Sequence, residues 1–261
     1  MPTLVICELL GIPAEDRLAL RTWSDDASKL FGASPGLSPA IARAANDAAV
    51  RLERYFLGLI EERLRRPGDD LLSLLLRVRE EMRMTAEDVS GQCQMLLVGG
   101  HLTMIDQLSN AVHDLLRHPE QLRSFRDDPS RVGGAIEEVL RHDPPVSFVH
   151  RVAAEGLEIG GKRVRAGDRV LLGLAAANRD PEVFPDPDTF DIGRAVNRHL
   201  SFGSGAHACM GGGLARRELE IALVTLFRRL PRLGLDPESP PRRRREPWML
   251  RGFHCLPVAA S

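Results

Sequence analysis

Phe202-Gly203-Ser204-Gly205-Ala206-His207-Ala208-Cys209-Met210-Gly211 is the stretch on which the reading of this sequence turns. A lone cysteine is ordinarily a small buried hydrophobe. Here Gly203, Gly205 and Gly211 surround it, and glycine lets backbone N–H groups turn inward while the chain comes close to a large planar ligand. The thiol also precedes the expected start of a helix, where free amides and the helix dipole favour an anion. An ordinary cysteine titrates near about 8.5, so little of it is thiolate at neutral pH, whereas a coordinated thiol is deprotonated outright. A Cys and a His two residues apart raise the possibility of zinc. No second Cys pair or His pair at metal spacing stands where it could complete four ligands. Neither a Walker-type phosphate loop nor a strand-bounded dinucleotide fingerprint is present, so the glycines do not read as a phosphate cradle.

Working outward, a long helix is expected to begin just after Cys209 and to run through Leu214 to about Leu230. A tail follows with Pro240-Pro241 and the run Arg242 to Arg245, which reads as a solvated loop because the rest of the chain has no basic excess. Upstream, the proline-rich stretch from Pro181 to Leu200 reads as an ordered meander. Asp168 to Leu174 reads as a strand, and Leu157-Glu158-Ile159 with Arg163-Val164-Arg165 as a hairpin around Gly160-Gly161. The first two thirds of the chain read as helices. Ser38-Pro39 caps one that continues to Arg66, where Pro67-Gly68 stops it; a second spans Asp69 to about Arg79. Thr85-Ala86-Glu87-Asp88 resembles a capping box with Asp in place of Glu, opening a long helix that Pro119 ends. Two short helices come next, the second carrying Glu137-Glu138-Val139-Leu140-Arg141. The long helix is nearly apolar from Met95 to Ile105, the pattern of a buried helix, yet Gly99 and Gly100 at its centre cost roughly 1 kcal/mol each relative to Ala. Either close helix packing or a flat ligand lying against the helix offsets that cost.

Composition bounds the class. The 261 residues are 43% hydrophobic and 27% charged, ordinary for a globular chain that buries a sizeable core. Lys plus Arg number 35 against 36 Asp plus Glu, so no net field draws nucleic acid or an anionic membrane, and a small or buried partner fits better. Glu8 interrupts the first apolar run too early for a secretory signal, and no uncharged stretch is long enough to span a bilayer. Cys7, Cys93, Cys209 and Cys255 lie far apart, and a chain this long needs no disulfide staples. The expectation is a cytoplasmic protein with reduced thiols.

The loop around Cys209 resembles the haem-ligand loop of the cytochrome P450 family, matching F-G-x-G-x-H-x-C-x-G at every fixed position. Other motifs fall in the family's order. Glu138-Val139-Leu140-Arg141 is similar to the E-x-x-R of the helix beneath the haem, and Arg194, in Phe190-Asp191-Ile192-Gly193-Arg194, takes the place of the second arginine of that structural triad. Asn178-Arg179-Asp180-Pro181 and Gly211-Gly212-Gly213-Leu214-Ala215-Arg216 resemble the bacterial soluble members. The resemblance implies a mainly α fold with a small β portion and haem b as cofactor. It implies Cys209 as the axial thiolate on iron, Phe202 and Gly203 in the cofactor loop, and Gly99 and Gly100 on the helix face beside the ring. Arg151 and His207 fall where the family places donors to the haem propionates. A thiolate ligand pushes electron density onto iron and favours O–O cleavage. The implied activity is NAD(P)H-dependent insertion of one oxygen atom of dioxygen into a small organic substrate, with electrons from a separate ferredoxin-type partner.

Two departures stand out. Gly99-Gly100-His101-Leu102-Thr103 aligns with the oxygen-activating segment, usually small-Gly-x-acid-Thr. Thr103 is present as the implied catalytic hydroxyl, but Leu102 replaces the acid. Dioxygen activation needs protons, and an acid beside an alcohol relays them through water; Leu102 cannot. Asp106, one turn on and on the same helical face, is either a packing partner or a substitute relay. His101 falls at a tolerant position and takes no catalytic role. The second departure is at the start: Leu4 to Pro13 resembles a mid-domain segment of the family, so residues 1–261 are expected to be a partial domain lacking the N-terminal segments. The rivals to a monooxygenase are therefore a non-catalytic haem-binding remnant and a peroxygenase or oxidative-coupling enzyme, which need the acid less.

Overall fold

The computed structural model describes residues 1–30, 38–244 and 249–260. Ser38 accepts a hydrogen bond from the amide of Ile41 at 3.2 Å, and Pro39 opens helix α3, Pro39–Arg65. This is the proline-at-N1 start that the sequence announces. Along α3, Ala45, Ala48, Leu52, Phe56 and Leu59 are buried, a spacing of three and four that turns one stripe inward. α1 (Pro2–Leu9) and α2 (Arg17–Ala27) precede it, and α4 (Leu71–Val78) follows, capped by Asp70 through the Ser73 amide at 2.7 Å. Thr85 and Asp88 form the expected capping box: the Thr85 amide donates to Asp88 Oδ2 at 2.8 Å, and the Asp88 amide donates to Thr85 Oγ1 at 3.1 Å. That box starts α5, Ala86–Arg117.

Contacts divide the chain into two compact units, Met1–Ile105 and Asp106–Ser261, and α5 runs from one into the other. The elements described in the first unit are all helices. Its core gathers Ile6 and Cys7 from α1, Leu10 at its C-cap, Leu20 from α2, Leu52, Phe56 and Ile60 from α3, Leu72 from α4, and Val89, Cys93 and Leu97 from α5. At about 1.5–3 kcal/mol for each large side chain buried, this core holds α5 from one side.

The second unit holds α6 (Pro119–Asp127), α7 (Val132–His142), α8 (Leu174–Ala177) and α9 (Gly212–Arg229). Four antiparallel strand pairs accompany them: β1 (Val149–Val152) with β4 (Arg169–Leu172), β2 (Leu157–Ile159) with β3 (Lys162–Val164), β5 (Leu233–Leu235) with β8 (Val258–Ala260), and β6 (Arg242–Arg243) with β7 (Phe253–Cys255). Ala215, Leu219, Leu223 and Phe227 recur every four residues on the buried face of α9, where Phe227 meets Phe125 of α6 edge to face at 6.0 Å. Gly160 and Gly161 have φ of +55° and +74°, the left-handed pair that a two-residue hairpin turn demands.

Two sequence expectations change here. The strand read to Leu174 stops at Leu172, because Leu174-Ala175-Ala176-Ala177 are strong helix formers and wind into α8. The arginine run is not simply solvated. Arg243 donates to Asp143 Oδ2 at 2.5 Å and to Asn110 Oδ1 at 2.9 Å, and lies 3.9 Å over the Phe253 ring; Arg244 pairs with Asp106. Arg251 also reaches Asp143, at 2.9 Å. Asp106 and Asp143 are buried, and a buried carboxylate requires such partners. Arg245 lies outside the described residues.

Candidate functional site

The cysteine loop is shaped by hydrogen bonds that only its glycines permit. Gly203 and Gly205 have φ of +66° and +73°, where a side chain is strained. The Gly203 amide returns to Leu200 O at 2.8 Å, and a single 3-10 turn spans Gly205–His207. The Cys209 amide then donates to Phe202 O at 2.8 Å, which clamps the cysteine across the base of the loop. The Gly212 amide donates to Cys209 O at 3.3 Å as α9 begins. Of the four cysteines, all described, Cys209 alone is exposed. Cys7 and Cys93 are buried, and burial pushes their thiols up, that of Cys93 to about 12, which makes them poor nucleophiles and poor ligands.

Glu138, Arg141 and Arg194 form the expected triad. Glu138 and Arg141, both 0% exposed, meet through two bonds of 2.8 and 2.7 Å, and Arg194 reaches Glu138 at 3.3 Å. Glu138 also accepts from the Asp191 amide at 2.9 Å and from Asn197 Nδ2 at 3.0 Å. Arg141 donates to the carbonyls of Asn178, Pro187 and Thr189, and Arg194 to those of Pro185, Asp186 and Thr189. The segment between Asp180 and Asn197, without strands or α-helix, is held by these guanidinium groups rather than by a ladder.

Phe202 and Gly203 are half-buried at the loop's root, while His207 is exposed in the 3-10 turn. Arg151 is exposed on β1, opposite Val170, and bonds the carbonyl of His150 at 2.9 Å. No hydrogen bond or ion pair joins Arg151 to the loop among the described residues. Neither Arg151 nor His207 has an acidic partner there, and no cluster of three or more His, Cys, Asp or Glu side chains could chelate a bare metal ion. One exposed thiol, with no chelating cluster and with an exposed arginine and histidine free of acidic partners among the described residues, suits a metal that arrives with its own ring of ligands and with acidic substituents. The residues present therefore fit haem.

In the first unit, Gly99 and Gly100 part company. A Cβ on Gly100 would sit 3.0 Å from the Ile6 side chain, so that glycine serves close packing against α1. A Cβ on Gly99 would meet no protein atom within 4 Å, and Gly99 is exposed. Thr103 donates its hydroxyl to Gly99 O at 2.8 Å on the same face. Leu102 is buried, 8% exposed, where no proton can be carried. Asp106 is 0% exposed and ion-paired with Arg244, and a side chain on Gly252 would overlap it; its geometry is that of a packing partner.

Sequence reasoning left three features unassigned. His101, 0% exposed, places Nε2 3.1 Å from Asp25 Oδ1 and Nδ1 2.8 Å from Leu97 O, tying α5 to α2. Asp114 joins His142 at 2.7 Å and His113 at 3.6 Å. Glu137 bonds Arg216 at 2.6 and 3.0 Å and His199 at 3.1 Å. Apart from the contacts with Leu97 and His113, these pairings join residues 28 to 79 positions apart, and of these residues His101, Glu137 and Arg216 stood within quoted stretches.

The sequence model described as cytochrome P450 matches residues 29–257. The "Biotin biosynthesis cytochrome P450" of Bacillus subtilis is 43% identical over 235 residues, covering 90% of this chain and 59% of that protein. "Cytochrome P450 monooxygenase PikC" of Streptomyces venezuelae is 41% identical over 262 residues, covering 99% of this chain and 61% of its own length. The solved structure of P450BioI in complex with hexadec-9Z-enoic acid ligated acyl carrier protein superposes with a TM-score of 0.93 at 40% identity, over 100% of this chain and 66% of that one. The chain thus spans about 60% of the length of these curated relatives. No helix among the described residues is long and apolar enough to cross a membrane.

Proposed function

Because this chain belongs to the cytochrome P450 family, we propose that it is the thiolate-bearing part of a monooxygenase, with Cys209 as the axial ligand of haem b. Bound haem supplies the reductive activation of dioxygen, one atom of which enters a small organic substrate while electrons come from NAD(P)H through a ferredoxin-type partner. The observation that carries the reading is the exposed Cys209, whose backbone amide donates to the Phe202 carbonyl and whose own carbonyl accepts from Gly212 as α9 begins. Gly203 and Gly205 hold that loop open. His207 and Arg151, both exposed and free of acidic partners among the described residues, would hold the haem propionates. The Glu138–Arg141–Arg194 triad keeps the meander and the loop's root in place without touching the substrate. On α5, a Cβ on Gly99 would meet no protein atom within 4 Å, and Thr103, whose hydroxyl donates to Gly99 O, is the implied catalytic hydroxyl.

A second reading rests on Leu102. With no acid beside Thr103 and Asp106 committed to Arg244, proton delivery by the usual side chain is missing. A peroxide-driven oxygenase or oxidative-coupling enzyme, or a haem-binding remnant, accommodates that absence.

The test is spectroscopic. Haem-loaded, reduced protein treated with carbon monoxide is expected to show the red-shifted Soret band of thiolate ligation, and Cys209→Ser to abolish it. Haem uptake by the parent without that band overturns the assignment. Turnover with hydrogen peroxide but not with NAD(P)H and a ferredoxin system favours the second reading.

A further inference from the structure

We propose that Arg216 is a positioning residue for the thiolate loop, gripped by Glu137 and set by it against the Phe202 ring, whose own backbone carbonyl holds the Cys209 amide. The proposal rests on the haem-thiolate reading and extends it to residues outside the triad.

Three elements meet at one aromatic ring. From α9, the Arg216 guanidinium carbon lies 4.7 Å over Phe202, a cation–π placement. From α7, Glu137 takes the guanidinium as a fork, Nε to Oε1 at 2.6 Å and Nη2 to Oε2 at 3.0 Å, a two-point grip that fixes the plane of the group. From the loop itself, His199 approaches Phe202 at 5.8 Å and bonds Glu137 through Nε2 at 3.1 Å. The Ser201 amide donates to His199 Nδ1 at 3.2 Å, so Nδ1 is the acceptor, Nε2 carries the proton, and the imidazole has one orientation. His199 is nearly buried, with 2% of its side chain exposed. Burial pushes Glu137 up, but the hydrogen bonds of His199 and Arg216 outweigh it and hold the carboxyl at about 2; the grip is charged throughout the neutral range.

An ion pair with Arg216 42% and Glu137 30% exposed adds little to global stability. Its value is geometric. Arg216 and Phe202 are joined through the ring, Phe202 and Cys209 through a 2.8 Å backbone bond, and the Arg216 charge lies within electrostatic reach of Cys209 itself. Groups around a ligand set its orientation and donor strength, so loosening this grip is expected to register at the cysteine before it registers in the fold.

The test compares Arg216→Gln and the near-isosteric Glu137→Gln with Arg217→Gln, a neighbouring exposed arginine paired with Glu220 at 2.8 Å. In the haem-free chain, hydrogen exchange at the Cys209 amide is expected to quicken roughly tenfold in Arg216→Gln, and by less in Glu137→Gln, with exchange in the α9 core unchanged. In haem-loaded protein, both are expected to shift the reduction potential and to convert part of the carbon monoxide complex to the thiol-ligated form. Arg216→Lys, which keeps the charge but loses the fork, is not expected to rescue. The proposal is overturned if Arg216→Gln matches Arg217→Gln in amide exchange, potential and band ratio. If Arg216→Gln fails to fold, Glu137→Gln carries the same comparison. A parent protein without the thiolate band refutes the haem reading instead, while the amide exchange still decides whether Arg216 positions Cys209.

Discussion

Replacing Arg141 with Ala strikes the best-satisfied buried charge in the second unit. The guanidinium is 0% exposed and makes two bonds to Glu138 and one each to the carbonyls of Asn178, Pro187 and Thr189. Truncation leaves Glu138, itself 0% exposed, with a charge that Arg194 meets at only one point, 3.3 Å away. The Asn178 and Pro187 carbonyls lose a donor, and Thr189 keeps only Arg194. Breaking a buried pair costs about 3–5 kcal/mol, a large share of a total stability of about 5–15 kcal/mol. At roughly 2–4 °C per kcal/mol for a chain of this size, the melting temperature is expected to fall by about 6–20 °C. The assay is thermal denaturation followed by far-ultraviolet circular dichroism, with soluble yield and haem uptake measured beside it. Arg141→Lys keeps the charge but cannot form the fork, so it is expected to fall between the parent and Ala. A melting temperature for Arg141→Ala within ~3 °C of the parent, with haem uptake unchanged, would falsify the argument that the triad is a buried, stabilising centre.

Two more outcomes follow from the geometry. Burial pushes the Asp114 carboxyl up, but His113 and His142 outweigh it and hold the group at about 2. Its folded value lies below the ordinary value of about 3.9, so the stability it confers is present above pH ~4 and is lost as pH falls toward 2. The difference in melting temperature between the parent and Asp114→Asn is expected to be full at pH 6 and to shrink by pH 2.5, and a constant difference refutes the ionised-carboxylate account. On α5, Leu102→Glu restores an acid beside Thr103. Given an electron source and a substrate that is turned over, product formed per NAD(P)H consumed is expected to rise, since a positioned acid contributes about 10²–10⁴-fold, while peroxide-driven turnover changes little. Efficient coupling in the parent that Leu102→Glu damages shows that protons arrive by another route.

Short-range signals were the legible part of this sequence. Ser38-Pro39, Thr85 with Asp88, and Gly160-Gly161 each complete their geometry within four residues, and the structure has each of them as read. Cys209, Glu138, Arg141 and Arg194 were legible through motif spacing, and the structure brings the last three together. Pairings set by the fold were not legible. Leu233 finds Ala260 in a three-residue strand pair too short to show a period. Arg243 and Arg244 looked solvated because their acids, Asp143 and Asp106, stand 100 and 138 residues away. His101, read as a tolerant position without a catalytic role, gave no sign of its contact with Asp25, 76 residues away. Gly99 and Gly100 were read as one feature, yet only Gly100 meets a packing neighbour.

The path of the segment after Asp180 is set largely through its main chain. Its carbonyls at Pro185, Asp186, Pro187 and Thr189 are caught by Arg141 and Arg194, and its Asp191 amide by Glu138. Those contacts read main-chain atoms, which every residue type supplies. Side chains that face solvent there without a partner among the described residues, such as Glu182 and Val183, are free to drift over evolutionary time without altering the route. The tolerance is unevenly distributed: exposed positions of the segment can change their spelling, while Glu138 and Arg141 of α7, Arg194, and the buried Phe184, Phe190 and Ile192 hold theirs.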